Sequence, residues 1–169
     1  MRFSRKRRKL ALERIPVTYV CEGWFLQDLI HALTSGPDED IAYVTGVDFG
    51  KLRMLSRICR VKLAEKSPVY ALGEAGSCAD VLIEILEHGN HLHCMAHSHP
   101  GCGPLSTCPS STDLRYLKSV QKAGAEVIGV IVTRDGCARF FSVQQPFRVL
   151  VFGQGVTQLD QNVFHVSPP

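Results

Sequence analysis

Short apolar runs bounded by Gly, Pro, Asp and Ser dominate the chain, and three stretches depart from that rhythm with apolar residues three and four positions apart. A short apolar run between turn signals reads as a strand, and the wider spacing as one face of a helix. Residues 16–22, PVTYVCE, read as a strand, and 24–34, WFLQDLIHALT, as a helix with Trp24, Phe25, Leu29, Ile30 and Leu33 on one side. SGPD breaks that helix. IAYVTGVDF and LRMLSRICRVKL follow as strands, the second an exposed one because Arg53, Arg57 and Arg60 interrupt it. SPVYALGE offers a further strand. Ser77 and Asp80 have the spacing of a capping box ahead of a helix over 78–88, which Gly89 ends. HLHCMAHSH predicts a strand, residues 111–123 a helix, and AEVIGVIVTRDGCARFFSV a hairpin turning at Asp135-Gly136. In the last 24 residues only VLVF carries a strand pattern. Three helices among many strands, without a regular βαβ alternation, predict an α/β chain of the α+β type, a mixed sheet flanked by helices.

Composition narrows this picture. A chain of 169 residues that is 45% hydrophobic fits one domain with a sizeable core. No apolar stretch approaches the ~18 residues of a membrane span, and Glu13, Arg14 and Pro16 stand where a signal peptide needs an apolar core. The expected location is the cytoplasm. Seven cysteines there read as reduced thiols, with an odd one left unpaired in any scheme. The formal charge of +3 comes from the tail, because six of the 19 Lys and Arg residues lie in the first nine positions. Residues 1–15 are expected to be a basic, disordered tail and 16–169 the domain. Such a tail can attract polyanions. The net-acidic body argues against nucleic acid as the partner.

Candidate chemistry concentrates at residues 94–113, CMAHSHPGCGPLSTCPSSTD. On a strand, positions i and i+2 share a face, so His97 and His99 converge at the strand's end. Neutral imidazoles are zinc ligands, and a catalytic zinc takes three protein ligands and leaves one position open. Asp113, in the first turn of the following helix, is the available third. Ser110 and Asp113 also have the spacing of a plain capping box, and acidic residues favour helix N-termini for reasons unrelated to metal. His91 and His93 have no assignable role and read as solvated or core histidines. Cys102 and Cys108 flank the loop, either as incidental thiols or as thiols made oxidation-sensitive by a nearby cation.

The whole string, H-S-H-P-G-x-G followed by T-x-P-S-x-x-D between a strand and a helix, resembles the signature of the JAMM (MPN+, Mov34/JAB) metallopeptidases, and in particular their bacterial JAB-domain members. The compact family form is H-x-H, a fixed spacer and S-x-x-D; here residues 100–109 make the spacer longer, with a Gly-rich start and a Pro-Ser end. The family also carries an upstream P-x-E ahead of an apolar strand, matched by Pro37-Asp38-Glu39, with Glu65 and Glu74 as alternatives. The resemblance covers roughly residues 20–143. It implies one zinc held by His97, His99 and Asp113, with Glu39 as general acid/base and Ser110 as oxyanion donor. It implies hydrolysis of a peptide or isopeptide bond after the C-terminal tail of ubiquitin or a ubiquitin-like modifier. The other reading in that family is a catalytically silent MPN scaffold that binds partner proteins.

Overall fold

The computed structural model describes residues 16–167. The expected basic tail over 1–15 lies outside them. The chain runs β1 (Val17–Glu22), α1 (Gly23–Thr34), β2 (Ile41–Phe49), β3 (Leu52–Arg60), β4 (Leu63–Ser67), β5 (Tyr70–Gly73), α2 (Ala75–Glu87) and β6 (Cys94–Ser98). A short 3-10 turn, Pro104–Thr107, then precedes α3 (Ser111–Lys122), β7 (Ile128–Val132), β8 (Cys137–Phe141), β9 (Phe147–Phe152), β10 (Val156–Asp160) and β11 (Val163–Val166). Nine strands form one mixed sheet in the order β10-β11-β8-β7-β6-β2-β3-β1-β9, and β4 and β5 form a separate hairpin. This is the mixed sheet flanked by helices that the pattern predicts. Among the described residues no helix is long and apolar enough to cross a membrane.

The α1 helix buries Phe25, Leu26, Leu29, Ile30 and Leu33 against one sheet face, where Tyr19, Val44, Leu55, Val130 and Phe140 complete the main core. Trp24 does not join them and is 54% exposed. Positions 25, 26, 29, 30 and 33 form a continuous helical stripe, and Trp24 falls outside it, with Gln27 and Asp28 as its neighbours one turn on. The other face carries a smaller core, in which Ile85 of α2 packs with Tyr43, Cys59 and Val61. A helix on one side and helices on the other make the sheet the middle of three layers.

Three local expectations are corrected. β3 lies between β2 and β1 and has the exposed positions expected of it, Arg57 and Arg60 included, but Arg53 is only 9% exposed. All three arginines make ion pairs: Arg53 reaches Asp48 at 2.6 Å and Glu126 at 2.7 Å, Arg57 pairs with Glu84, and Arg60 with Asp40 at 3.0 Å. The α2 helix begins at Ala75, with no side-chain cap. The backbone N–H of Glu74 bonds the Lys62 carbonyl and Ser77 Oγ accepts from the Lys62 N–H, so Ser77 ties the helix to the β3–β4 link instead of capping it. Finally, VLVF lies within a longer β9, and β10 and β11 follow it. β10, an outer strand, has four exposed positions in five, so alternation is faint there.

Candidate metal centre

β6 lies between β2, antiparallel, and β7, parallel, with His97 opposite Ile41 on one side and Ile131 on the other. His99 lies just past the strand, yet its N–H still donates to the Val132 carbonyl at 2.9 Å, and that of Ser98 to Asp40 at 3.0 Å. Strand geometry therefore continues through His99 and both imidazoles point to one face. The α3 helix starts beside them with a complete capping box, in which Ser110 Oγ accepts from the Asp113 N–H at 3.2 Å and Asp113 Oδ2 accepts from the Ser110 N–H at 2.7 Å. The capping role and the ligand-like placement of Asp113 hold together, because the cap aims its carboxylate at the histidines.

The His97 and His99 Nε2 atoms are 3.1 Å apart, His97 Nε2 is 3.4 Å from Asp113 Oδ1, and His99 Nε2 is 3.6 Å from Asp113 Oδ2. Donors about 2.0–2.1 Å from a tetrahedral zinc lie roughly 3.3 Å from one another. The triangle thus has the dimensions of three vertices of such a shell, and its side chains stay 15–18% exposed toward the open fourth side. His99 Nδ1 faces the Ser106 carbonyl at 3.0 Å. A proton donated there leaves Nε2 as a lone-pair donor, the tautomer that a metal requires.

Charge points the same way. Burial pushes the Asp113 carboxyl up, but hydrogen bonds from His97, His99 and Ser110 win and hold it far below the usual carboxylate range. Burial favours neutral His99, yet Asp113, the Ser106 carbonyl and the Glu39 charge raise its pKa above the ordinary value. Glu39 is raised chiefly by burial, with His99 and His97 opposing and Asp113 adding to the rise. Two carboxylates beside two imidazoles, with the His99 ring drawn toward protonation, make a site that favours positive charge, which a divalent cation supplies.

Glu39 reaches this site from a distant part of the sequence. Its N–H donates to the Ser67 carbonyl at 2.9 Å, and the adjacent Asp40 N–H donates to Ser98 Oγ at 3.0 Å, so backbone bonds on both sides fix its place. Glu39, His97, His99, Ser110 and Asp113 all line one cleft of about 720 Å³. Glu65 and Glu74 line neither it nor the smaller pocket of about 330 Å³ that Glu39 also lines. His93 is a fully buried core residue beside Asp48 and His91 is an exposed one, both away from the cleft. All seven cysteines are free; Cys102 and Cys108 are exposed, and Cys102 lines the smaller pocket.

The walls of the large cleft went unnoticed in the sequence. Val69 and Leu72 of the β4–β5 hairpin form one side, Tyr116 and Leu117 of α3 another, and Tyr43 and Phe141 come from the sheet. The signal was present in SPVYALG, whose Val69 is 75% exposed and Leu72 45%, more apolar surface than a plain connecting strand needs. Gly129 also matters: a side chain there would strike the Phe141 ring, so glycine leaves room for that ring in the lining.

Comparisons with known proteins bear on the fold and the family. Among curated proteins none matches the sequence. The solution structure of DSY2949 from Desulfitobacterium hafniense superposes with a TM-score of 0.57 at 14% identity, covering 80% of this chain and 94% of that one. AF2198 from Archaeoglobus fulgidus, a JAB1/MPN domain protein, gives a TM-score of 0.49 at 16% identity over 79% of this chain and 98% of its own. At these identities the first likeness speaks for the fold alone. The model of the prokaryotic homologues of the JAB domain matches residues 23–144, which run from the first residue of α1 past β8 and include every residue of the His-His-Asp group, and the chain belongs to that family.

Proposed function

We propose that the protein is a zinc-dependent hydrolase that cleaves a peptide or isopeptide bond after the extended C-terminal tail of a ubiquitin-like modifier, and that it works in the cytoplasm. The observation that carries this reading is the His97–His99–Asp113 triangle with an open side facing a cleft that also contains an untethered carboxylate, Glu39. Bound by those three residues, a zinc ion would supply Lewis acidity and lower the pKa of its water toward neutrality.

The chain's own groups do the rest. Glu39, whose pKa burial raises, takes the proton of the attacking water and returns it to the leaving amine. Ser110 Oγ uses a lone pair to cap α3, and its hydroxyl proton, which lies beside the Asp113 carboxylate, turns to the oxyanion that forms on the scissile carbonyl. Ser106, through its carbonyl, holds the His99 ring in one orientation.

The modifier is inferred from the shape of the cleft. Among the described residues β5 pairs only with β4, and its residues Tyr70–Gly73 line the cleft. An extended peptide can pair with such a strand through its main chain, and a tail of small residues brings its backbone close to the His-His-Asp group in the same cleft. The test is cleavage of a ubiquitin-like fusion by purified protein, with chelator and with zinc restored. Cleavage abolished by chelator and recovered with zinc supports the reading. Metal-independent binding without cleavage of any conjugate would favour the scaffold.

A further inference from the structure

The two cavities that meet at Glu39 and His99 differ in what else lines them. Both include Glu39, His99 and Pro100. Ser110, the oxyanion donor of the proposed reaction, lines only the larger one, whereas Glu39, which returns a proton to the leaving amine, lines both. A scissile bond across the site therefore has a direction. Its carbonyl faces α3 and the larger cleft, and its amine faces the smaller pocket.

That pocket, about 330 Å³, is walled by Pro37, Pro68 and Pro100, and its charged groups besides Glu39 are Asp38 and Arg134. Asp38 has a cationic neighbour, Lys66 Nζ at 3.9 Å. Arg134 sits in the turn between β7 and β8, where its guanidinium donates to the carbonyl of Gly36, another residue of the pocket lining. No carboxylate oxygen among the described residues lies within 4.0 Å of it. A guanidinium carries five N–H donors in a planar fork suited to a carboxylate, and one contact to a carbonyl leaves most of them open.

Building on the hydrolase reading, we propose that the small pocket receives the leaving-group side of the substrate, and that Arg134 selects a leaving amine with a carboxylate close to it. In the reaction the C–N bond breaks, the carbonyl carbon gains the water's hydroxyl, and the amine gains the proton through Glu39. The product released into this pocket is then a short amino acid or peptide with its carboxylate against Arg134. The shared chemistry has two sources, a terminal α-carboxylate and an acidic side chain.

Zinc-loaded full-length protein is given three conjugates with the same ubiquitin-like Gly-Gly tail, ending in glycine, in glycinamide or in aspartic acid α-amide. Wild type is expected to favour glycine over glycinamide roughly 10-fold in kcat/KM, the size of one charge-assisted contact. The ratio should fall to near one in Arg134→Gln and be partly kept in Arg134→Lys. A rate on the aspartic α-amide equal to that on glycine identifies a carboxylate of either origin; a rate equal to glycinamide restricts it to the α-carboxylate. Metal-dependent cleavage with no preference, or a preference that survives Arg134→Gln, overturns the pocket assignment and leaves the hydrolase standing. No metal-dependent cleavage of any conjugate overturns both.

Discussion

Asp113 serves two interactions that one substitution can separate. Its carboxylate accepts from the Ser110 N–H and also lies 3.4–3.6 Å from the two imidazoles. Asparagine keeps an oxygen for the cap but loses the charge, so Asp113→Asn should fold near wild-type stability and bind zinc at least ~100-fold more weakly. Ser110→Ala should do the reverse, losing about 1 kcal/mol of stability while retaining zinc. Zinc titration and thermal melting of both variants check this; unchanged zinc affinity in Asp113→Asn would remove that residue from the shell. Of the site residues, His97, His99 and Asp113 were legible because their spacings, two along a strand and three into a helix, carry direction. His93 was not. Nothing in HLHCM distinguishes the exposed His91 from the fully buried His93, because only the fold sets Asp48 and Arg53 against the second.

His93 has a consequence for acid stability. Burial lowers its pKa from 6.5 to about 4, with Asp48 opposing the shift and Arg53 adding to it. The unfolded chain takes up that proton near pH 6.5 and the folded one only near pH 4, so unfolding binds the additional proton between those values. Stability from this group is present above pH 6.5 and lost as pH falls to about 4. The loss is on the order of 1–3 kcal/mol. Denaturant unfolding across that range should show a shallower pH slope in His93→Gln, and an identical slope would contradict the assignment. Arg53 makes the same point about reading sequence: a charged residue amid an apolar run marks an exposed position, as it does at Arg57 and Arg60, but paired acids on β2 and before β7 let Arg53 sit inside.

Among elements, the β2–β3 pair divides its side chains between the two cores. Its register shifts between Thr45 and Gly46, a bulge that turns Leu55 toward the α1 core while Tyr43 and Cys59 face α2. At Gly46 an added Cβ would stand 1.8 Å from the Met54 carbonyl oxygen, so backbone must move to admit any side chain. Gly50, in the tight turn at φ +65°, has nothing within 4 Å of that position and only its backbone conformation to lose. Gly46→Val is therefore expected to cost about 3 kcal/mol or more and Gly50→Ala about 1 kcal/mol, measured by urea unfolding. Equal costs would deny the bulge its close approach. The strand itself was visible as IAYVTGVDF; the bulge was not, since a glycine in a strand is also compatible with a plain pleat.

At the scale of the molecule, the site joins two parts of the chain that sequence alone relates only by resemblance. Glu39 stands ahead of β2, and the histidines and Asp113 lie beyond α2; the β2–β6 pairing and the Asp40–Ser98 bonds close that distance. Fold class, helix order and the ligand string could be read from pattern, because each is local or periodic. The cleft could not, because its walls come from β5, α3 and the sheet, and their meeting depends on topology. The most direct measurement is Glu39→Gln compared with wild type, with zinc content and the cleavage rate of a ubiquitin-like fusion determined on the same samples. The replacement keeps shape and removes only the carboxylate, so zinc should stay near one per chain while the rate falls ~10²–10⁴-fold. Glu65→Gln and Glu74→Gln should cleave at the wild-type rate. A Glu39→Gln variant that carries zinc and cleaves as fast as wild type would contradict the account.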